Sequence, residues 1–172
     1  MQKITLMGIL NASPESFFDG ENVKITQDYV LNKAQNLVAE GAEIIDIGGQ
    51  STRPGYTEIS AEEEIARTAP FIKLIKQKIK ARVSIDSYKA PVVKTALEAG
   101  ADIVNDVSGL KDENLAKLAA SYSDGIILSS GNVQGEILDY CKGLSIPLLP
   151  YNAASYEDGT WIDEYNSFYD GI

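Results

Sequence analysis

Residues 82–109, RVSIDSYKAPVVKTALEAGADIVNDVSG, carry one complete strand–helix–strand unit. Residues 82–86 are a short, branched, mostly apolar run ending in an acid, as expected of a strand covered on both sheet faces. Pro91 suits the first position of a helix, where its missing N–H is no loss. Val92, Val93, Ala96 and Leu97 then form an apolar stripe that ends at Gly100. Residues 101–105 supply the next strand, and DVSG is its exit loop.

The same rhythm extends outward in both directions. Upstream, residues 4–10 read as a strand and residues 11–22, with Pro14, Asp19 and Gly20, as a long loop. Thr26 is placed to cap a helix whose Val30, Leu31, Ala34, Leu37 and Val38 recur at helical spacing until Gly41. Residues 43–47 give a second strand with the exit GGQSTRPG. Ser60 and Glu63 form a capping box for a helix expected to bury Ile65, Ala69, Ile72 and Ile75 ahead of the basic segment 76–80. Downstream, Asp112 caps a helix carrying Leu115, Leu118 and Ala119, and residues 125–128 are a fifth strand. Residues 133–140 are a short helix and 145–149 a candidate sixth strand.

Strands alternating with helices at these intervals predict an α/β fold, a TIM-barrel-like (β/α) arrangement of parallel strands with outer helices. The pattern alone fits an open parallel sheet equally well. A chain of 172 residues is expected to form one domain, and a truncated or incomplete barrel, because a closed eight-stranded barrel needs roughly 250. Residues 151–172 break the rhythm. Trp161, Phe168 and several tyrosines stand among acids and glycines with no clear seventh or eighth strand, which reads as an irregular cap, an interface segment or sequence joined by truncation.

Composition excludes several function classes. A formal charge of -10 leaves no cation excess to replace the counterions of duplex nucleic acid. Cys141 is the only cysteine, which rules out an internal disulfide framework or a multi-cysteine metal cluster and suits a reducing, cytoplasmic setting. The opening MQKITLMGIL reads as a strand rather than a leader, and no apolar run approaches a membrane span. With no histidine, protein donors to any metal must be oxygens, which points to a hard cation such as magnesium.

Three polar segments follow strand ends. In MGILNASPESFFDG, residues 7–20, Asn11 offers an amide at the strand end, either to a ligand or cation or only to a turn. Phe17 and Phe18 cover the rim or form a flap over a flat substrate. In GAEIIDIGGQSTRPG, residues 41–55, Ser51, Thr52 and Arg53 set two hydroxyls and a guanidinium beside glycines, suited to oxyanions, although the pattern is not a P-loop. Asp46 in that segment has a structural reading, bonding to backbone or to Arg53. Asp86, Asn105 and Asp106 either tie strand ends together or address a heteroaromatic ring with paired donors and acceptors.

In order and spacing, the strings at 7–20, 41–55 and 82–109 resemble the first three signature regions of the dihydropteroate synthase family, and the resemblance covers about residues 1–120. Pterin-binding domains of corrinoid methyltransferases share the barrel, but the STRPG loop is closer to the synthases. The resemblance implies that the amine of 4-aminobenzoate attacks the methylene of a dihydropterin diphosphate and displaces pyrophosphate, with Mg2+ as cofactor. It implies that Asn11 lies near magnesium and pyrophosphate, and that Ser51, Thr52 and Arg53 belong to the loop meeting aminobenzoate and diphosphate. Asp86 and Asn105 would recognise the pterin ring, and Phe17 would help enclose aminobenzoate. Departures are clear. Leu128 and Ser129 stand where the family carries methionine and histidine, its later aspartate, lysine and arginine find no convincing match, and its later histidine is absent from the sequence. A truncated enzyme, a shortened pterin-binding paralogue and a half-barrel completed by a second chain or a homodimer all remain open.

Overall fold

The computed structural model of the chain describes residues 5–13, 25–51, 56–108, 112–128, 155–157 and 160–162. Five strands alternate with four helices: β1 (Met7–Asn11), α1 (Gln27–Ala39), β2 (Ile44–Gly48), α2 (Ala61–Lys78), β3 (Arg82–Asp86), α3 (Ala90–Glu98), β4 (Ile103–Asp106), α4 (Glu113–Tyr122) and β5 (Gly125–Leu128). The expected units around residues 133–140 and 145–149 lie outside the described residues.

The sheet order is β1-β2-β3-β4-β5, with every pair parallel. Each strand therefore joins the same growing edge. Right-handed crossovers made always in one direction put every helix on one face, which is how a (β/α) barrel is built and a doubly wound sheet is not. The expected TIM-barrel-like class holds, and the order supplies what periodicity left open.

The helix-covered face holds the main core. Leu10, Ile45, Ile47, Val83, Ile85 and Val104 pack there against Val30, Ala34, Ile72, Ile75, Val92, Val93, Ala96 and Leu115. Because strand side chains alternate, Met7, Ile44, Asp46, Ser84, Asp86, Ile103 and Asn105 fall on the opposite, inner face. Ile44, Ile103 and Ile127, with Met7 against them, form a second small apolar cluster.

Local chemistry sets the helix ends. Thr26 Oγ1 accepts from the Tyr29 amide and Ser60 Oγ from the Glu63 amide, each at 3.2 Å. The second half of the expected capping box is diverted, since Glu63 Oε1 takes Arg67 at 2.6 Å. The buried stripe of α2 is also turned from the expected one. Glu64, Thr68, Ile72 and Ile75 are buried, whereas Ile65 and Ala69 are only half-buried. Two polar residues can occupy that stripe because the Thr68 hydroxyl bonds the Glu64 carbonyl at 2.8 Å and Glu64 meets Lys89 at 3.0 Å.

Helices α1 and α3 close with the same device. Gly41 and Gly100 adopt φ of 107° and 108°, a region that suits glycine alone. Gly41 N–H bonds Val38 O and Ala42 N–H bonds Leu37 O, and Gly100 and Ala101 repeat this on Leu97 and Ala96. These are paired Schellman closures that turn the chain directly into the next strand.

The tail differs from its irregular reading. Ser155–Glu157 (β6) and Thr160–Ile162 (β7) form an antiparallel pair with Tyr156 opposite Trp161. The dipeptide Asp158-Gly159 between two strand-forming triplets was the available hairpin signal.

Candidate functional site

One register row crosses the carboxyl ends of the strands. Asn11 pairs with Gly48, Gly48 with Asp86, Asp86 with Asn105, and Asn105 with Ile127. Residues sharing a row share a face, so Asn11, Asp86 and Asn105 project to the inner side. Asn11 and Asp86 stand two strands apart, roughly 10 Å. Gly48 lies between them with only a hydrogen. A methyl there would stand 3.4 Å from Asp86 Oδ2, so glycine keeps the space beside that carboxylate open.

The row beneath brings Asp46 and Ser84 to the same face. Asp46 is 3% exposed, and its Oδ2 accepts from Asn105 Nδ2 at 3.1 Å, reaching across β3. Asp46 thus has a side-chain partner 59 residues away, and Arg53, the other side chain read as its partner, lies outside the described residues. Sequence spacing hides that pair because it arises only from the register of three strands.

Both acids are under electrostatic load. Burial first, then the charges of Asp46, Glu64 and Asp106, push Asp86 up to about 7. Burial raises Asp46 above the ordinary 3.8, while the Ser84 hydroxyl and the Asn105 amide pull it partly back. Among the described residues, Asp46 Oδ1 and Asp86 Oδ1 are buried with no hydrogen-bond partner. Such acceptors are expensive to leave unmet and fit a ligand that presents N–H groups. Asp106 takes a different part: it is fully buried, and its Oδ1 accepts the Ser108 amide at 2.8 Å, shaping the exit of β4.

Ser51 lies half-buried just beyond β2. Thr52, Arg53 and Phe17 lie outside the described residues. The flanks of that segment are tied by groups that sequence reasoning missed. Lys89 Nζ donates to Gln50 Oε1 at 2.9 Å and to the Ile59 carbonyl at 2.6 Å. Tyr88 Oη accepts from Gln50 Nε2 at 3.2 Å and donates to Glu58 Oε1 at 3.0 Å. Partial burial foremost pushes the Tyr88 phenol up to about 12, so it stays a donor at neutral pH. The only sequence signal was a lysine set directly between a strand end and a Pro-led helix.

For a cation, the described residues offer no group of three or more acidic, histidine or cysteine ligands. Asn11 is exposed at its strand end. One amide oxygen is compatible with magnesium, which keeps several waters and takes its remaining ligands from phosphate oxygens. Among the described residues no helix is long and apolar enough to cross a membrane.

Comparison with known proteins gives the family. The model of the pterin binding enzyme family matches residues 7–141. Dihydropteroate synthase of Streptococcus pyogenes is 46% identical over 164 residues, covering 92% of this chain and 61% of the relative. Among solved structures, dihydropteroate synthase of Clostridium difficile in the presence of pteroic acid is 38% identical with a TM-score of 0.66, covering 81% of this chain and 55% of that one. The Xanthomonas albilineans dihydropteroate synthase with 4-aminobenzoic acid is 36% identical with a TM-score of 0.63, over 71% of this chain and 44% of that one. The chain thus spans about 44–61% of the length of these three relatives.

Proposed function

The chain belongs to the pterin binding enzyme family, and from that premise we propose that its strand-end row binds the ring of a dihydropterin diphosphate for dihydropteroate synthesis in the cytoplasm. The observation that carries this reading is the pair of buried, partnerless carboxylate oxygens, Asp46 Oδ1 and Asp86 Oδ1, on the face that also holds Asn105. A pterin edge carries an amino group and ring N–H groups, the donors those oxygens lack. Asn105 holds Asp46 through Nδ2, fixing where the acceptor points.

In the proposed reaction the amine of 4-aminobenzoate forms a C–N bond to the pterin methylene as the C–O bond to diphosphate breaks, and the nitrogen sheds one proton. A neutral aniline is nucleophilic enough to need no strong base. The protein's tasks are to hold the ring, receive the leaving charge and align the amine. Asp86, Asp46 and Asn105 take the first. Ser51, Thr52 and Arg53 take the second, through hydroxyls and a guanidinium suited to phosphate oxygens. Phe17 would close over the aminobenzoate and exclude water. Magnesium, held by Asn11, would neutralise charge on the diphosphate oxygens. The described residues make up the ring side of the site, so ring binding is tested before turnover.

The test is a fluorescence titration of the chain with 6-hydroxymethylpterin. Saturable binding that weakens about tenfold or more in Asp86→Asn and in Asn105→Ala is expected, each variant losing one or more hydrogen bonds to a desolvated ring. Equal affinity in both variants would remove the reading. Dihydropteroate formation from both substrates with magnesium then decides whether the chain also turns over.

A further inference from the structure

We infer that Gly48 is a specificity-determining position: its bare backbone is the floor over which the exocyclic methylene of the pterin passes from the ring site at Asp86 towards Asn11, an inference that rests on the pterin reading above. In the row Asn11, Gly48, Asp86, Asn105 and Ile127, Gly48 alone has no side chain. Adjacent strands stand about 4.8 Å apart. A ring held at Asp86 with its diphosphate at Asn11 therefore has to carry the methylene across the strand between them, which is β2 at Gly48. Lower on the same face of β2, Ile44 and Asp46 do carry side chains, so the slot opens only at the rim.

Four other glycines have reasons internal to the fold. Gly41 and Gly100 take the left-handed backbone turn. A Cβ on Gly8 would stand 2.9 Å from Leu37 Cδ2, and one on Gly49 would stand 2.8 Å from Thr68 Cγ2 and 3.2 Å from the Glu64 carbonyl oxygen. Gly48 has neither reason. Its φ lies outside the left-handed region, and among the described residues a Cβ there meets nothing nearer than 3.4 Å, an ordinary van der Waals contact. Glycine inside a strand loses stability relative to alanine, and it often marks the close approach of a ligand. Nor is the backbone free to retreat from an added methyl. The Gly48 carbonyl accepts the Ala12 amide at 2.7 Å, and the Gly49 carbonyl accepts Arg67 Nη1 at 3.1 Å. A methyl at this position fits the empty protein and takes its space from the ligand.

The experiment titrates the full wild-type chain and Gly48→Ala with 6-hydroxymethylpterin and with pterin that carries only hydrogen at the same ring carbon, and follows the thermal unfolding of both chains. Gly48→Ala should bind 6-hydroxymethylpterin about tenfold more weakly, the scale of one overpacked methyl. Its affinity for the unsubstituted pterin should stay within about twofold. Its Tm should equal or exceed that of the wild type, because the fold itself has no need of glycine there. Unchanged affinity for 6-hydroxymethylpterin would overturn the inference, as would an equal loss for both pterins. A Gly48→Ala chain that melts below the wild type or fails to fold would overturn it too, since the glycine would then serve packing. A wild-type chain that binds neither pterin sinks the ring-binding reading and this inference with it, whereas one that binds both and ignores the methyl sinks this inference alone.

Discussion

At the amino end of β3, Asp102 accepts from Lys76 at 2.8 and 2.7 Å and from the Val83 amide at 2.7 Å, so both its oxygens are engaged. At the carboxyl end of the same strand, Asp86 keeps a buried oxygen that nothing described satisfies. One aspartate is completed by the chain and the other is not. The contrast extends across the sheet. The amino ends of β2 and β4 follow the glycine-closed helices α1 and α3, whereas at the carboxyl ends burial first and neighbouring carboxylates second raise the proton affinity of Asp86. Stability is built at one rim and spent in electrostatic strain at the other, as expected where a ligand must supply the missing partners.

The largest expected effect comes from breaking the satisfied rim. Asp102→Ala strands Lys76 and the Val83 amide, for about 2–3 kcal/mol of lost stability and a Tm lower by roughly 5–10 °C. Thermal unfolding checks this, and pterin affinity should be unchanged. Asp86→Asn should act oppositely. Folded Asp86 holds its proton up to about 7, against an ordinary 3.8, so its stabilising contribution is full in acid and is lost as pH rises through 7. Removing that carboxylate should raise Tm at pH 8 by about 4 °C, while ring affinity falls about tenfold or more.

A smaller, graded effect sharpens the comparison further. A ring N–H favours ionised Asp86, so pterin affinity should rise up to about tenfold per pH unit from 5 towards 7 and then level off. Calorimetry in buffers of different ionisation heat should register proton release near pH 6, and Asp86→Asn should abolish it. Smallest is Gly100→Ala, which forces a side chain into φ of 108°. It should lower stability by about 1 kcal/mol, read by urea unfolding, with no change at the binding rim.

Most of the fold was legible because each unit carries its own local signals. Thr26, Ser60 and Asp112 cap the helices they were read to cap, Gly41 and Gly100 stop theirs, and 82–86 and 125–128 are strands as read. What was hidden depends on register or distance. The stripe of α2 includes Glu64, which no hydrophobic pattern marks and which is buried only because Lys89 meets it. Asp86 and Asn105 could be singled out as strand-end polar residues. Asp46, one pleat lower, gains its role from a bond made across another strand. Lys89 carries no local signal, because its contacts reach Gln50 and Ile59, 39 and 30 residues away.

The consecutive strand order also bears on how the polypeptide assembles during synthesis. Among the described strands, each of β2 to β5 pairs with the one made just before it, so none of these four must wait for a distant segment. The first two pairings close about twice as much chain as the last two. Later additions should accordingly zip on faster than the founding pair forms.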